Sequence, residues 1–149
     1  MKHPFKPATK CGEYTIERPV TKDEIVQMAT TLTNRRFSKN RVLENPKDAG
    51  DYLMLKMGHL EHEVFCCIYL TNKHRIIAFE EILRGTIDGA TVHPREVVKR
   101  AIQLNAAAVV FAHNHPSGDT TPSQSDQHIT KQLIEAFKLL DIRVLDHII

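Results

Sequence analysis

Residues 112–126 read A-H-N-H-P-S-G-D-T-T-P-S-Q-S-D and follow directly on the apolar run Ala106-Ala107-Ala108-Val109-Val110-Phe111. Two histidines, a serine and a carboxylate therefore share one strand-to-helix turn. His113 and His115 are two residues apart, so in an extended segment both rings leave on the same side and can reach one ion. Asp126 falls in the first turn of a helix that Thr121 is expected to cap and Pro122 to begin, where the positive helix end favours an ionised carboxylate. Two neutral imidazoles and one carboxylate make a three-ligand zinc set that leaves a fourth position open. Zinc lowers the pKa of its bound water to about 7, so hydrolysis is the chemistry such a site would perform.

Each of these residues also has a plainer reading. Asp126 could serve only the helix N-terminus, with both histidines as loop residues. Ser123 could hydrogen-bond at the helix start, or aim its hydroxyl at the oxyanion of a tetrahedral intermediate. Pro116, Ser117, Gly118 and Pro122 shape the turn itself, the prolines by fixing φ and the glycine by reaching conformations closed to other residues.

The elements that must position this turn can be read outward from it. Residues 106–111 form a buried strand, and a long helix over residues 122–140 places Ile129, Leu133, Ala136, Phe137 and Leu140 on one stripe. Upstream, Val64-Phe65-Cys66-Cys67-Ile68-Tyr69-Leu70 is a continuous apolar run of the kind that suits a central strand covered on both faces. Residues 75–83 return as a second strand in an antiparallel hairpin, and residues 85–91 form a loop or short edge strand. Pro94 starts an amphipathic helix, with Val97, Val98, Ala101 and Ile102 inward and His93 at its start, in a structural role or as a substrate contact. Asn45-Pro46 starts another helix, running to about Leu60. Residues 142–149 look like a last strand.

Residues 1–20 carry three prolines and little periodicity, and read as a flexible arm. Thr21-Lys22-Asp23-Glu24 has capping-box spacing and opens a short helix through Leu32. Residues 34–45, with Arg35, Arg36, Lys39 and Arg41, read as a solvated loop in preference to a nucleic-acid contact. The expected division is an arm with one short helix over residues 1–47 and a catalytic domain over residues 48–149. Strands alternating with helices give an α/β fold, a sandwich of helices on a mixed sheet.

The 149 residues suffice for one domain with a hydrophobic core, and no apolar run approaches the roughly 20 residues of a membrane span. Residues 1–10 have no apolar core and do not form a secretory signal, so a cytoplasmic location is expected. A net charge of +2 gives no strong electrostatic footprint for nucleic acid. Three cysteines, with Cys66 and Cys67 adjacent in an apolar run, read as small buried hydrophobes and not as a disulfide framework.

The run His113-Asn114-His115, seven residues, Ser123, two residues, Asp126 resembles the JAMM motif, H-x-H-x7-S-x2-D, of the MPN-plus (JAB) metallopeptidases. Arg84-Gly85-Thr86, Val92-His93-Pro94-Arg95-Glu96-Val97, the segment from Ala112 to Gly118, and Asp141-Ile142-Arg143-Val144-Leu145-Asp146-His147 further resemble the RadC branch of that superfamily. The resemblance covers residues 48–149. It implies a cytidine-deaminase-like three-layer α/β/α JAB/MPN domain holding Zn2+ at His113, His115 and Asp126. It also implies a glutamate at the start of a strand near the metal turn, acting as general base on the zinc water. Glu63 matches that place, with Glu61 as the fallback; Glu80 and Glu81 fit less well. Ser123 would then assist the oxyanion. The chain resembles a short form without the family's helix-hairpin-helix region, and is expected to lack the last strands.

The first functional expectation is therefore a zinc-dependent peptidase or isopeptidase acting on a peptide or protein substrate. The second is a nucleic-acid role linked to DNA repair or recombination, against which stand the weak net charge and few aromatic residues for base stacking. The H-N-H letters are not the dispersed HNH nuclease motif, and base deamination would need a P-C-x-x-C segment that the sequence lacks. The third is a binding module on an inactive JAMM fold.

Overall fold

The apolar run Val64–Leu70 becomes strand β3, and every one of its residues is buried. In this computed structural model, residues 4–10, 13–36, 42–85 and 92–149 are described, with the side chains of residues 33–36 excepted. The chain divides into two compact units, residues 1–38 and 39–149. The second starts upstream of the expected boundary at residues 47/48. Leu43 is part of it, buried and donating its N–H to the His74 carbonyl, and Val42 bridges Arg75.

In the first unit, β1 (Phe5–Pro7) and β2 (Tyr14–Ile16) pair antiparallel, where the sequence suggested a flexible arm. Strands of three residues are too short to show an alternating pattern, and the hairpin is held instead by backbone bonds such as Ala8 N–H to Glu13 O. Helix α1 (Lys22–Arg36) starts at the expected capping box, with Glu24 N–H donating to Thr21 Oγ1 and Thr21 N–H to the Glu24 carboxylate. It runs into the segment expected to be loop; residues 37–41 of that segment lie outside the described residues.

In the second unit, α2 (Pro46–Met57) begins as the sequence indicates, with Asn45 accepting from Asp48 N–H and Pro46 in the first turn. Gly58 ends it, its N–H bonding to Met54 O, shortly before the expected Leu60. Strand β3 is central and pairs antiparallel with β4 (Ile76–Arg84) on one side and β5 (Ala108–His113) on the other. Beyond β5, β6 (Arg143–Ile148) adds parallel, so the sheet is mixed, in the order β4-β3-β5-β6. Helix α3 (Pro94–Gln103) connects the hairpin to β5, and α4 (Gln124–Lys138) connects β5 to β6. Most of the expected loop at 85–91 lies outside the described residues.

Alternation sorts the central strands into two faces. Phe65, Cys67, Tyr69, Val109 and Phe111 meet Val97 and Ala101 of α3 and Ile129, Leu133 and Phe137 of α4 in one core. The opposite face, with Leu70, Val110 and Ala112, lies under α2, where Tyr52 meets Phe79 edge-on at 5.8 Å. Helices on both faces of a mixed sheet make the expected three-layer α/β/α domain. That double cover explains why β3 tolerates no polar side chain beyond the Tyr69 hydroxyl. Among the described residues, no helix is long and apolar enough to cross a membrane.

Cys66 and Cys67 are free and buried, as their setting in the sequence suggests. Burial raises both thiols, Cys66 to about 12. Thiolate is the reactive form, so alkylation of Cys66 at pH 8 is expected to run on the order of 10³-fold slower than for an ordinary thiol. Iodoacetamide labelling followed by peptide mapping checks this. Rapid labelling of Cys66 in the folded protein would contradict a strand covered on both faces.

Candidate metal centre

Strand β5 ends at His113, two residues after Phe111 and on the same face of the sheet, so its ring stands over the α4 side at the edge of the core. The chain then turns through residues 114–123, with Gly118 at φ +80, a region that favours glycine, and its N–H bonded to His115 O. This turn delivers the N-terminus of α4 beside the end of the strand it left.

The sequence assigned the helix cap to Thr121 and its first residue to Pro122; the structure caps α4 with Ser123 and begins it at Gln124. The reason is reciprocity. Ser123 Oγ accepts from Asp126 N–H at 3.1 Å while Ser123 N–H donates to Asp126 Oδ2 at 2.7 Å, a closed capping box. Thr121 is instead tied back to Asp119 Oδ1 at 2.9 Å. The capping box holds the Asp126 carboxylate rigidly at the positive end of the helix.

His113, His115 and Asp126 each bring one ligand atom into a group whose members all lie within 4.8 Å of one another. The two Nε2 atoms are 2.9 Å apart, and Asp126 Oδ1 lies 3.2 Å from His113 Nε2 and Oδ2 lies 3.6 Å from His115 Nε2. His113 and Asp126 are the two buried polar side chains here, at 2% and 3% exposure. His115 Nδ1 faces the Asp119 carbonyl, which can only accept, so in the neutral ring the proton sits on Nδ1 and Nε2 is a bare lone pair. A bare imidazole nitrogen and a carboxylate packed against a second imidazole nitrogen call for a cation between them. The donor set thus fits a divalent metal such as zinc.

Electrostatics agree with that fit. Burial is the main reason that His113 is pushed below the ordinary histidine value, with Asp126 opposing and His115 reinforcing. For Asp126, burial acts upward, but the Ser123 hydrogen bonds outweigh it and hold the carboxyl below its usual range. Neutral imidazole and ionised carboxylate are the forms that bind metal.

Two neighbours escaped the sequence reading. His147, on β6 opposite Phe111, places Nε2 at 2.9 Å from His113 Nδ1, and its own Nδ1 meets Thr130 Oγ1 at 2.5 Å. Burial, reinforced by His113, pushes His147 down to about 4. Asn114, between the two ligand histidines, uses both ends of its amide: Oδ1 accepts from Val64 N–H and Nδ2 donates to His62 O, each at 2.9 Å. This strap ties the turn to the residues on either side of Glu63, whose carbonyl in turn accepts from Gly85 N–H. Removing the amide leaves two part-buried backbone groups without partners, each worth about 1–3 kcal/mol. Asn114→Ala is therefore expected to cost about 3 kcal/mol in urea unfolding, and a loss under about 0.5 kcal/mol would show that the strap carries no load.

The other expected site residues are distributed as follows. Glu63 is half-buried immediately before β3, with its carboxylate outside the three-ligand group; Glu61 is exposed. Glu80 is engaged by Arg100 of α3 through an ion pair at 2.6 Å, and Glu81 is exposed on β4 opposite Cys66. Ser123 stands at the helix cap, exposed. A cleft of about 500 Å3 opens on the turn, with His113, His115 and Gly118 at one side and Leu53, Met54 and Met57 of α2 at the other.

Comparison with known proteins adds the following. The model of a family described as the RadC-like JAB domain matches residues 43–149. A UPF0758 protein of Vibrio cholerae is 46% identical over 140 residues, which is 94% of this chain and 89% of that one. UPF0758 proteins of Pseudomonas syringae and Nitrosococcus oceani are 50% and 58% identical over 125 and 113 residues, or 84% and 76% of this chain. The chain spans about half the length of these last two, 56% and 50%.

Proposed function

The chain belongs to the RadC-like JAB domain family, and from that membership we propose that it is a zinc-dependent metallohydrolase cleaving amide bonds of a peptide or protein, as a peptidase or isopeptidase. The observation that carries this reading is the convergence of His113, His115 and Asp126 on one point, with the His115 Nε2 lone pair and the Asp126 carboxylate both facing it. These three residues would hold the metal. When bound, zinc supplies a water that is acidic enough to ionise near neutral pH and a Lewis acid for the substrate carbonyl.

Residues of this chain do the rest. Glu63 takes a proton from the attacking water as its oxygen bonds to the acyl carbon. Ser123 donates a hydrogen bond from its hydroxyl to the carbonyl oxygen as that atom gains negative charge. The capping geometry supports this role, because accepting from Asp126 N–H occupies a lone pair of Oγ and leaves its proton free. When the C–N bond breaks, Glu63 returns its proton to the departing amine. The Asn114 strap supports the assignment to Glu63, since it fixes the residues flanking Glu63 against the metal turn. The apolar wall of Leu53, Met54 and Met57 suits an extended chain with apolar side chains beside the scissile bond.

The test is incubation of the zinc-loaded protein with peptide and isopeptide-linked substrate libraries, read by mass spectrometry. Cleavage that a chelator stops and zinc restores is expected. Absence of cleavage together with salt-dependent binding of duplex DNA would favour the repair-associated reading instead.

A further inference from the structure

The histidine of β6 does more than fill space beside the ligands. We propose that His147 is a positioning residue that fixes His113 in the tautomer with its proton on Nδ1 and a bare Nε2, through a hydrogen-bond chain whose direction is set by the backbone of Asp126.

The direction follows from counting donors and acceptors along the chain. Thr130 lies one turn after Asp126 on α4, and its Oγ1 is 2.6 Å from the Asp126 carbonyl. A carbonyl oxygen only accepts, so the single hydroxyl proton of Thr130 points there. The same Oγ1 is 2.5 Å from His147 Nδ1 and has only lone pairs left to offer, so His147 carries its proton on Nδ1. A neutral imidazole has one N–H, which leaves His147 Nε2 as an acceptor. That atom lies 2.9 Å from His113 Nδ1, so His113 donates there, and in the neutral ring its Nε2, facing His115 Nε2 and Asp126 Oδ1, is left as the lone pair for a cation. One backbone carbonyl thereby sets the proton on two rings.

The chain also joins elements that share no sequence neighbourhood. It leaves Asp126 on α4, crosses to β6 and returns to β5, so two members of the ligand group are linked behind the site as well as in front of it. Packing holds the rings in plane for this: Phe65 stacks on His113 with centroids 6.3 Å apart and meets His147 edge-on at 5.3 Å. The parallel register that pairs Phe111 with His147 puts the third histidine within reach of the first. The inference deepens the metal reading and rests on it for its purpose, but the His147 tautomer that directs the chain is readable with or without a metal.

The experiment has two readouts on the full chain. Nitrogen-15 NMR of the imidazoles reads which ring nitrogen of His147 is protonated, and chelator competition reads zinc affinity. The expected result is His147 protonated on Nδ1. Removing an outer partner of a metal-binding histidine typically costs 10–100-fold in affinity, so His147→Phe is expected to weaken zinc binding by about that factor. His147→Gln offers an amide that can both accept from His113 and donate to Thr130, and should stay within about threefold of the parent. Thr130→Val, which cuts the chain one step earlier, should leave His147 a mixture of both tautomers. His147 protonated on Nε2 in the parent protein, or a folded His147→Phe that binds zinc undiminished, would overturn the proposal. A parent protein with His147 protonated on Nδ1 that takes up no zinc would uphold the chain and sink the metal reading.

Discussion

Glu63→Gln is expected to lower turnover of a cleaved peptide by about 10³-fold while zinc content and folding stay at parent levels. The substitution keeps size and polarity but removes the only role that needs a basic oxygen, taking and returning a proton. Two features of the structure make the outcome informative. The carboxylate is outside the three-ligand group, so its loss should not release the metal. The backbone around it is held by Asn114 and Gly85, so the neighbouring chain should not move. Steady-state kinetics beside metal analysis separates the cases: turnover within about threefold of the parent would remove Glu63 from the mechanism and turn attention to the exposed Glu61.

Phe65→Ala should be among the most damaging single changes to stability. Phe65 is fully buried at the start of β3, and its ring meets Phe111 at 5.8 Å, His113 at 6.3 Å and His147 at 5.3 Å. Truncating a buried phenylalanine costs about 3–5 kcal/mol, partly from lost burial and partly from the cavity left behind. For a chain of this size the melting temperature should fall by about 10 °C. Because the ring also braces both histidines, zinc affinity should weaken with it. Phe65→Leu fills much of the volume without the flat face, and is expected to recover most of the stability but not the affinity. A melting temperature unchanged in Phe65→Ala would mean that the core does not run up to the site.

Both predictions depend on parts of the molecule that were legible to different degrees in the sequence. β3 could be read residue by residue because a strand covered on both faces leaves an unbroken apolar run with polar residues at each end. The starts of α1 and α2 could be read because capping is local chemistry: Thr21 with Glu24, and Asn45 with Pro46, carry their geometry in their spacing. The ligand group was legible for the same reason, two histidines on alternate positions and an aspartate one helical turn into α4.

What escaped was either non-local or too short to have a period. The hairpin of β1 and β2 has three residues per strand, and its prolines suggest disorder more readily than pairing. At the start of α4, two hydroxyl residues competed for the cap, and Thr121 before Pro122 looks like a start signal; the reciprocal bonds of Ser123 and Asp126 decided it. His147 lies 34 residues beyond His113 and becomes its neighbour only through the parallel register of β5 and β6. Asn114 is hidden differently, since an amide between two histidines has no pattern of its own until its partners, 50 and 52 residues away, are known.

The central claim is that His113, His115 and Asp126 hold one zinc ion. Its most direct test is metal content by mass spectrometry on the purified full chain after zinc supplementation and removal of excess, beside His113→Ala and Asp126→Ala. About one zinc per chain in the parent protein, lost in both variants, is the predicted result. A folded parent protein without metal, or variants that retain it, would contradict the account and leave the fold as a binding module.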